Sequence, residues 1–473
     1  MKALKLFCAS HFYFFLLGLL FFQNSDAQSV PQKLDSLFQA VLDSMRTELN
    51  VKGLSAAVDL HNDAVWTGGS GISSQNPVDN ISSDHVFAIG STTKTITAAC
   101  ILQLRDEGLL SLEDSLHQWV QPFEHVNDHI TIRQLLQHTS GIYDLFQHPN
   151  FQQQMNFQPL TIWEPETVLN TFLLPPPFAP GTSWGYSSSN YLLLGLIIEA
   201  ATGMEYHEAI RERFLTPLAL ESFSLFPYEP YNGTLTHLWL DLNGNGTPTD
   251  AHSYFSMLRS SFSAGWAAGA YYANSADLAR WIKDFFTEGL FEPETLEDAM
   301  TTIPTAFPAG SRYGLGIIRR SFLGLHAFGH GGDIGFSANA FYFPDKNISI
   351  SVNCNDGTAN SWEISVVIPA LLRAYLDCEA LVTGTKEVTE DATVHVAPNP
   401  VKNHLTITIE SLNASQVEGF IYNLQGQLVE AFQIDVNGKQ QVHLDCRAWP
   451  GGTYFYRLKS SHTTIDSGMI VKM

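Results

Sequence analysis

Apolar residues change their spacing several times along the chain, and each change marks a different kind of element. In "VPQKLDSLFQAVLDSMRTEL" the positions Leu34, Leu37, Phe38, Val41, Leu42 and Met45 recur at helical spacing, which predicts an amphipathic helix. "GLSAAVDLHNDAVWTGGSG" follows as two short apolar runs around Asn62-Asp63, the pattern of a β-hairpin. From Ser91 to about Leu220 the pattern is mostly helical, broken at Gly108, Gly141, "LLPPPFAPG" and Gly203. Near residue 340 it returns to strands, "ANAFYFP" and "ISISVNC" about a turn at Asp345-Lys346-Asn347. The helical run "SWEISVVIPALLRAYLDC" closes this part. That order predicts one sheet built from both ends of the region, with a helical insertion between them, in the α/β (α+β) class.

The polar, aperiodic stretch "LVTGTKEVTEDATV" predicts a linker over 381–392. Beyond it "VAPNPVKNHLTITI", "VEGFIYNLQGQLVEAF", "QQVHLDC" and "GGTYFYRLKS" alternate apolar and polar residues between Gly and Asn turns. Residues 393–473 therefore read as a small β-sandwich.

At the other end stands "MKALKLFCASHFYFFLLGLLFFQNSDAQS". Lys2 and Lys5 precede an apolar core from Phe12 to Phe22, and Ser25-Asp26-Ala27 supplies small residues for cleavage. A secretory signal over 1–27 is expected, with the main domain running over 28–380. The apolar run is too short for a convincing membrane span, so no transmembrane anchor is expected. The chain is expected to pass through the periplasm and to end up secreted or at the cell surface.

Composition narrows the function classes. With 45% hydrophobic residues over 473 positions, the chain can bury a large core in more than one domain. A formal charge of −22 disfavours phosphate backbones, so nucleic acid is not an expected partner. Beyond the signal stand Cys100, Cys354, Cys378 and Cys446, without the spacing of a zinc or redox site. Export would permit a Cys354–Cys378 bridge, but nothing in the sequence indicates one.

Three short stretches carry chemistry. "FAIGSTTKTITAAC" sets Ser91 and Lys94 three positions apart where a helix begins, so both share one helix face. A serine hydroxyl is a weak nucleophile that needs a neighbouring base, and free N–H groups at a helix start suit an oxyanion. The same two residues would equally suit an ordinary helix cap and a solvated lysine. In "FAPGTSWGYSSSNYLLLGLIIEAATG" a Pro180-Gly181 turn delivers Tyr186 just before an apolar helix. A phenol beside a lysine is expected to ionise below its usual value of roughly 10. In "HAFGHGGDIGFSANAFYF" His330 and two glycines sit on a strand, where missing side chains admit a substrate.

In this order the stretches resemble the Ser-x-x-Lys, Tyr-x-Asn and Lys-or-His-x-Gly motifs of the penicillin-recognising serine hydrolases. Class C β-lactamase-like proteins are the closest branch, with D-alanyl-D-alanine carboxypeptidases and related esterases. "ITIRQLLQHTSGI", "GLLSLEDSL" and "GAYYANSADLARWI" also look like segments of that family. The resemblance covers roughly residues 30 to 380. It implies an antiparallel sheet flanked by helices with a helical subdomain. It further implies Ser91 as nucleophile, Lys94 as its proton partner and Tyr186 as general base. The backbone N–H groups of Ser91 and Asp333 would form the oxyanion hole, and Ser188, His330, Gly331 and Gly332 would line the substrate site. No metal or organic cofactor is implied.

Two positions depart from the family pattern: Ser188 stands where an asparagine is usual, and His330 replaces the lysine of β-lactamases. Both weigh against efficient β-lactam hydrolysis, and the deacylating glutamate of class A enzymes has no counterpart. A histidine at 330 would hold a substrate carboxylate chiefly at mildly acid pH. The literal Tyr272-Ala273-Asn274 lies in a different family segment and is set aside as the catalytic tyrosine. His138 reads as a structural hydrogen-bonding residue. "DLNGNGTPTD" (241–250) reads as a polar loop, because His252 stands where a calcium loop would need its last acidic ligand. "SLFPYEPYNGTLTHLW" would either wall the cleft or join the core.

The last module resembles the sorting domain of the type IX secretion system in "APNPVKNHLTI", "IYNLQGQLV", "GGTYFYRL" and "GMIVKM". Secretion machinery is thus an expected partner. The expected substrate is a cell-wall D-alanyl peptide first and a small ester second. A non-catalytic peptidoglycan-binding scaffold is the rival from another class.

Overall fold

The computed structural model describes residues 30, 32–60, 64–255, 259–308, 310–382, 392–423, 428–460 and 463–472. The expected signal segment, the Asn62-Asp63 turn and residues 383–391 of the expected linker lie outside the described residues.

Helix α1 (Gln32–Leu49) buries Leu34, Phe38, Val41, Leu42 and Met45, the stripe its spacing predicts. The hairpin follows as β1 (Gly53–Asp59) and β2 (Val65–Gln75), in register from Gly53↔Gly71 to Asp59↔Val65, with a short β3 (Val78–Asn80) beyond. Then come α2 (Thr93–Asp106), α3 (Ser189–Thr202) and α4 (Ser275–Thr287) among shorter helices. Strands return as β4 (Ile303–Pro304), β5 (Arg312–Tyr313), β6 (Ile318–Phe322), β7 (Leu325–Ile334), β8 (Phe336–Phe343) and β9 (Ile348–Cys354). Helix α5 (Val367–Val382) closes the unit.

One nine-stranded sheet results, in the order β4-β5-β6-β7-β8-β9-β1-β2-β3. Both ends of the region therefore meet at the antiparallel β9–β1 pair, Leu54↔Cys354 to Asp59↔Ser349. All seven residues of β1 are buried because the sheet is covered on both faces. Leu54, Ala56 and Val58 join the core under α1 and α5. The opposite face meets α4 through small hydroxyls: Ser349 and Ser351 donate to the carbonyls of Ala279 and Ser275, both at 2.6 Å. Short side chains let the helix sit close, and every such hydroxyl needs a partner once water is gone. Lys283 of α4 also donates to Asp59 of β1 at 2.7 Å, a buried ion pair.

The helical insertion has its own core. In α3 every residue from Ser189 to Ile198 is buried, as expected of a helix apolar on all sides. That core packs α3 against α2, the helix that follows Ser91.

Beyond the linker stand β10 (Ala392–Ala397), β11 (His404–Asn423), β12 (Leu428–Asp445), β13 (Gly452–Ser460) and β14 (Thr463–Lys472). Strand β11 pairs with β10 and β12 in its first half and with β12 and β13 in its second. Val401, Leu405, Ile407, Val417, Ile421 and Trp449 form a separate core for this β-sandwich. Among the described residues no helix is long and apolar enough to cross a membrane.

Candidate active site

Ser91 lies in a single 3₁₀ turn, Gly90–Thr92, that leads into α2. Strand β7 runs against this turn, backbone to backbone. Gly90 has φ +50°, and a Cβ there would stand 2.7 Å from the amide nitrogen of Asp333. A Cβ on Gly332 would stand 2.0 Å from the carbonyl oxygen of Ile89 and 2.6 Å from the Ser91 nitrogen. Any side chain at either position would push the strand off the turn. The two glycines therefore bring the amides of Ser91 and Asp333 side by side.

Lys94, one turn along and fully buried, spends its ammonium on three oxygens. It donates to Ser91 Oγ at 3.0 Å, to the Ala268 carbonyl at 2.7 Å and to Ser188 Oγ at 3.4 Å. The rings of Tyr186 and Tyr191 flank it, with centroids at 5.0 and 5.4 Å. Burial lowers its pKa to about 7, and the Asp144 carboxylate acts in the opposite sense. Near neutrality a large share of Lys94 is a free amine beside the serine hydroxyl.

Tyr186 departs from expectation. Its pKa is raised well above 10, because burial of the phenolate outweighs the pull of Ser91, and Asp144, Tyr191 and Asp333 push the same way as burial. The lysine that was to stabilise a phenolate is itself only partly charged near neutrality, because the same burial lowers its pKa to about 7. Among the described residues the Tyr186 hydroxyl has no hydrogen-bond partner of good geometry, yet Ser91 is near enough to act on its ionisation. In the resting site it is a neutral phenol. Ser188 also departs: it lies buried beneath Lys94 and donates its amide to Asp144 at 3.1 Å, so it does not line the cleft.

His330 is the third correction. Only 1% exposed, it is held near a pKa of about 3 by burial first and by the Lys94 charge second. Its Nδ1 lies 2.5 Å from the Gly331 carbonyl and therefore carries the proton, which leaves Nε2 to accept from Tyr313 at 3.0 Å. The Tyr313 oxygen in turn accepts from Nε2 of His138 at 3.2 Å. His138 Nδ1 accepts from the Ser187 amide at 3.2 Å and from the Asn190 amide at 3.1 Å. A neutral chain thus ties β7, β5 and the Tyr186 loop together, and His138 is a structural hydrogen-bonding residue. Burial thus works against a cationic His330 at mildly acid pH.

These groups open on a cleft of about 160 Å³ lined by Ser91, Tyr186, His330, Gly331, Gly332 and Asp333, so His330 does border the substrate site, as a neutral ring. Residues 34–363 match the beta-lactamase family, and residues 395–472 match the secretion system C-terminal sorting domain. The chain belongs to the beta-lactamase family. It is 27% identical to penicillin-binding protein 4 of Amycolatopsis lactamdurans over 69% of this chain and 86% of that protein. Esterase EstB of Burkholderia gladioli is 24% identical over 58% of this chain and 74% of its own. A D-stereospecific amidohydrolase from Streptomyces sp. superposes with a TM-score of 0.62 at 28% identity, over 70% of this chain and 97% of that one. This is a beta-lactamase-fold serine hydrolase related to penicillin-binding proteins, esterases and amidases, with a carboxy-terminal sorting domain.

Other sequence candidates find ordinary places in this beta-lactamase fold. Tyr272 is buried against Phe262 and Tyr231, and Asn274 caps α4 by accepting from the Asp277 amide at 2.8 Å. That literal Tyr-x-Asn is a core aromatic followed by a helix cap. Phe226 and Tyr231 stack at 5.2 Å within the same core and do not wall the cleft. In the 241–250 loop Asp241 accepts from the amides of Asn245 and Gly246 at 3.1 and 2.8 Å, and Asp250 faces His237 at 2.8 Å. Cys354 and Cys378 form no disulfide with each other.

Several cleft and supporting groups have no local signature in the sequence. Asp144 and the Ala268 carbonyl hold Lys94 and Ser188 from segments far away in the chain. Tyr313 joins two histidines 192 positions apart (330 − 138) only because β5 and the Tyr186 loop meet. Phe307, Arg320 and Trp362 wall the cleft from three separate elements.

Proposed function

We propose that the chain is an exported acyl-transfer hydrolase whose nucleophile is Ser91 and whose resting base is Lys94. The observation that supports this most is the buried Lys94 amine, 3.0 Å from Ser91 Oγ with a pKa of about 7. A base is most effective when its pKa lies near the working pH. Neutral Lys94 takes the serine proton as Oγ adds to the substrate carbonyl. The amides of Ser91 and Asp333 receive the oxyanion. Tyr186, a neutral phenol, gives its proton to the leaving group and regains one from the Lys94 ammonium. Water then opens the ester on Ser91 by the reverse path. Compared with a standing general base, Tyr186 acts here as a relay. D-alanyl peptides are the first candidate substrate, in keeping with the penicillin-binding relative and the D-stereospecific amidohydrolase. The neutral His330 favours a second reading, a small-ester esterase, because that ring brings no charge for a carboxylate.

A fluorophosphonate or fluorescent penicillin is expected to add once to wild-type protein at Ser91 and not to Ser91→Ala, read by intact mass and peptide mapping. Tyr186→Phe is expected to lose at least ~10²-fold in kcat/KM, since relay and nucleophile act as a unit. Tyr272→Phe is expected to keep wild-type rates. An unlabelled, folded wild type would instead identify a non-catalytic scaffold.

A further inference from the structure

The Asp333 amide, one of the two brought side by side at the turn before α2, sits where the backbone is loosely held. Gly331 and Gly332 precede it, and a hairpin turn follows at Gly335, whose φ is +81°. Asp333↔Ser337 and Ile334↔Phe336 are the last two pairs of the β7–β8 ladder. Glycines leave their peptides free to rotate and ladder ends fray, so pairing alone holds the Gly332–Asp333 peptide weakly.

The Asp333 side chain supplies a further restraint. Its Oδ1 accepts from the Ser361 amide and its Oδ2 from Ser361 Oγ, both at 2.6 Å. Ser337 Oγ lies 2.9 Å from Oδ1 and 2.7 Å from the Ala359 carbonyl, so its one hydrogen serves either. Ser361 is anchored in turn, since its carbonyl accepts from Asn339 Nδ2 of β8 at 2.7 Å. Ser361 opens the short helix Ser361–Ile364, and the next residue, Trp362, walls the cleft with its ring 5.6 Å from that of Phe307. Asp333 is itself exposed. Water would satisfy an exposed carboxylate, and such surface contacts contribute little to folding. Two hydrogen bonds from one residue to both oxygens do fix the direction of the side chain, and with it the backbone that carries it.

We propose that the Asp333 carboxylate is a positioning group, which through Ser361 holds the Asp333 amide towards the oxyanion formed on substrates of Ser91. The carboxylate touches no reacting atom and takes no proton. An amide stabilises a developing charge best when it is held in place beforehand. The inference rests on the hydrolase reading for the oxyanion and adds the residue pair that aims one of its donors.

Every substitution at 333 except proline keeps the amide, so the side chain is tested without removing the donor. Rates with p-nitrophenyl acetate are referred to Ser91 titrated to completion by a fluorophosphonate, which corrects for any loss of folded protein. Asp333→Ala is expected to lose about 10- to 100-fold in kcat with KM nearly unchanged, because acylation and deacylation both pass through the oxyanion. The inhibition constant of phenylboronic acid, whose tetrahedral adduct on Ser91 carries an oxygen in the same place, is expected to rise by a like factor. Asp333→Asn, which can still accept from the Ser361 amide, is expected to recover part of the loss. Ser361→Ala is expected to lose less than Asp333→Ala, and the double variant no more than Asp333→Ala alone. A kcat per titrated site equal to wild type in Asp333→Ala, a loss confined to KM, or additive losses in the double variant would each overturn the assignment and leave the hydrolase reading intact. If Asp333→Ala does not fold, Asp333→Asn and Ser361→Ala decide by the same readouts. Hydrogen exchange over residues 328–336 and 360–364 needs no turnover. In a chain that hydrolyses nothing, faster exchange in Asp333→Ala that Asp333→Asn reverses upholds the clasp and refutes only the hydrolase reading. Unchanged exchange in such a chain refutes both.

Discussion

The Tyr313 hydroxyl lies 3.0 Å from Nε2 of His330 and 3.2 Å from Nε2 of His138, so one phenol satisfies two buried imidazoles. Tyr313→Phe removes it without changing the packing volume much. Two buried nitrogens then lose their partner, at a cost of about 1–3 kcal/mol for each group left unsatisfied. A fall in denaturation midpoint is expected by calorimetry or denaturant titration. A midpoint equal to wild type would show that water replaces the hydroxyl.

The Lys94 pKa sets the pH dependence. Only the free amine accepts the serine proton, and burial has moved its appearance from the usual value of 10.5 down to about 7. For a neutral ester, kcat/KM is expected to rise with pH and level off above an apparent pKa near 7. Lys94→Arg is expected to be inactive at every pH tested, because a guanidinium keeps its proton. A rate that falls through this window would assign the base elsewhere.

The sorting domain carries its own core, with Leu405, Ile421 and Val436 buried inside it. Truncation after Val382 is therefore expected to leave ester hydrolysis near wild type while export fails. Activity in cell fractions and culture medium reads both. An unfolded or inactive truncation would make the sandwich part of the catalytic unit.

Much of this was legible because it is local or periodic. The stripe Leu34–Met45 and the alternation in "ISISVNC" fix helix α1 and strand β9, since each follows from one element's own geometry. Ser91, Lys94, Tyr186 and the glycines of β7 sit in short stretches whose spacing is itself the constraint. Gly332 shows why: its lack of a side chain answers to the backbone of Ile89 and Ser91.

What the sequence determined by itself was the elements, their order and the residue types that would meet at the cleft. Tertiary structure decided their charge. Lys94, Tyr186 and His330 all look ionisable in the string of residues, and shared burial pushes all three towards their neutral forms. Desolvation depends on what packs around a group from every side, and Asp144, Ala268 and Tyr313 arrive from distant segments. The same packing sets Arg320 between the rings of Trp362 and Phe322. No spacing rule carries that information, since a solvent-exclusion energy belongs to the assembled cleft and to no stretch of chain.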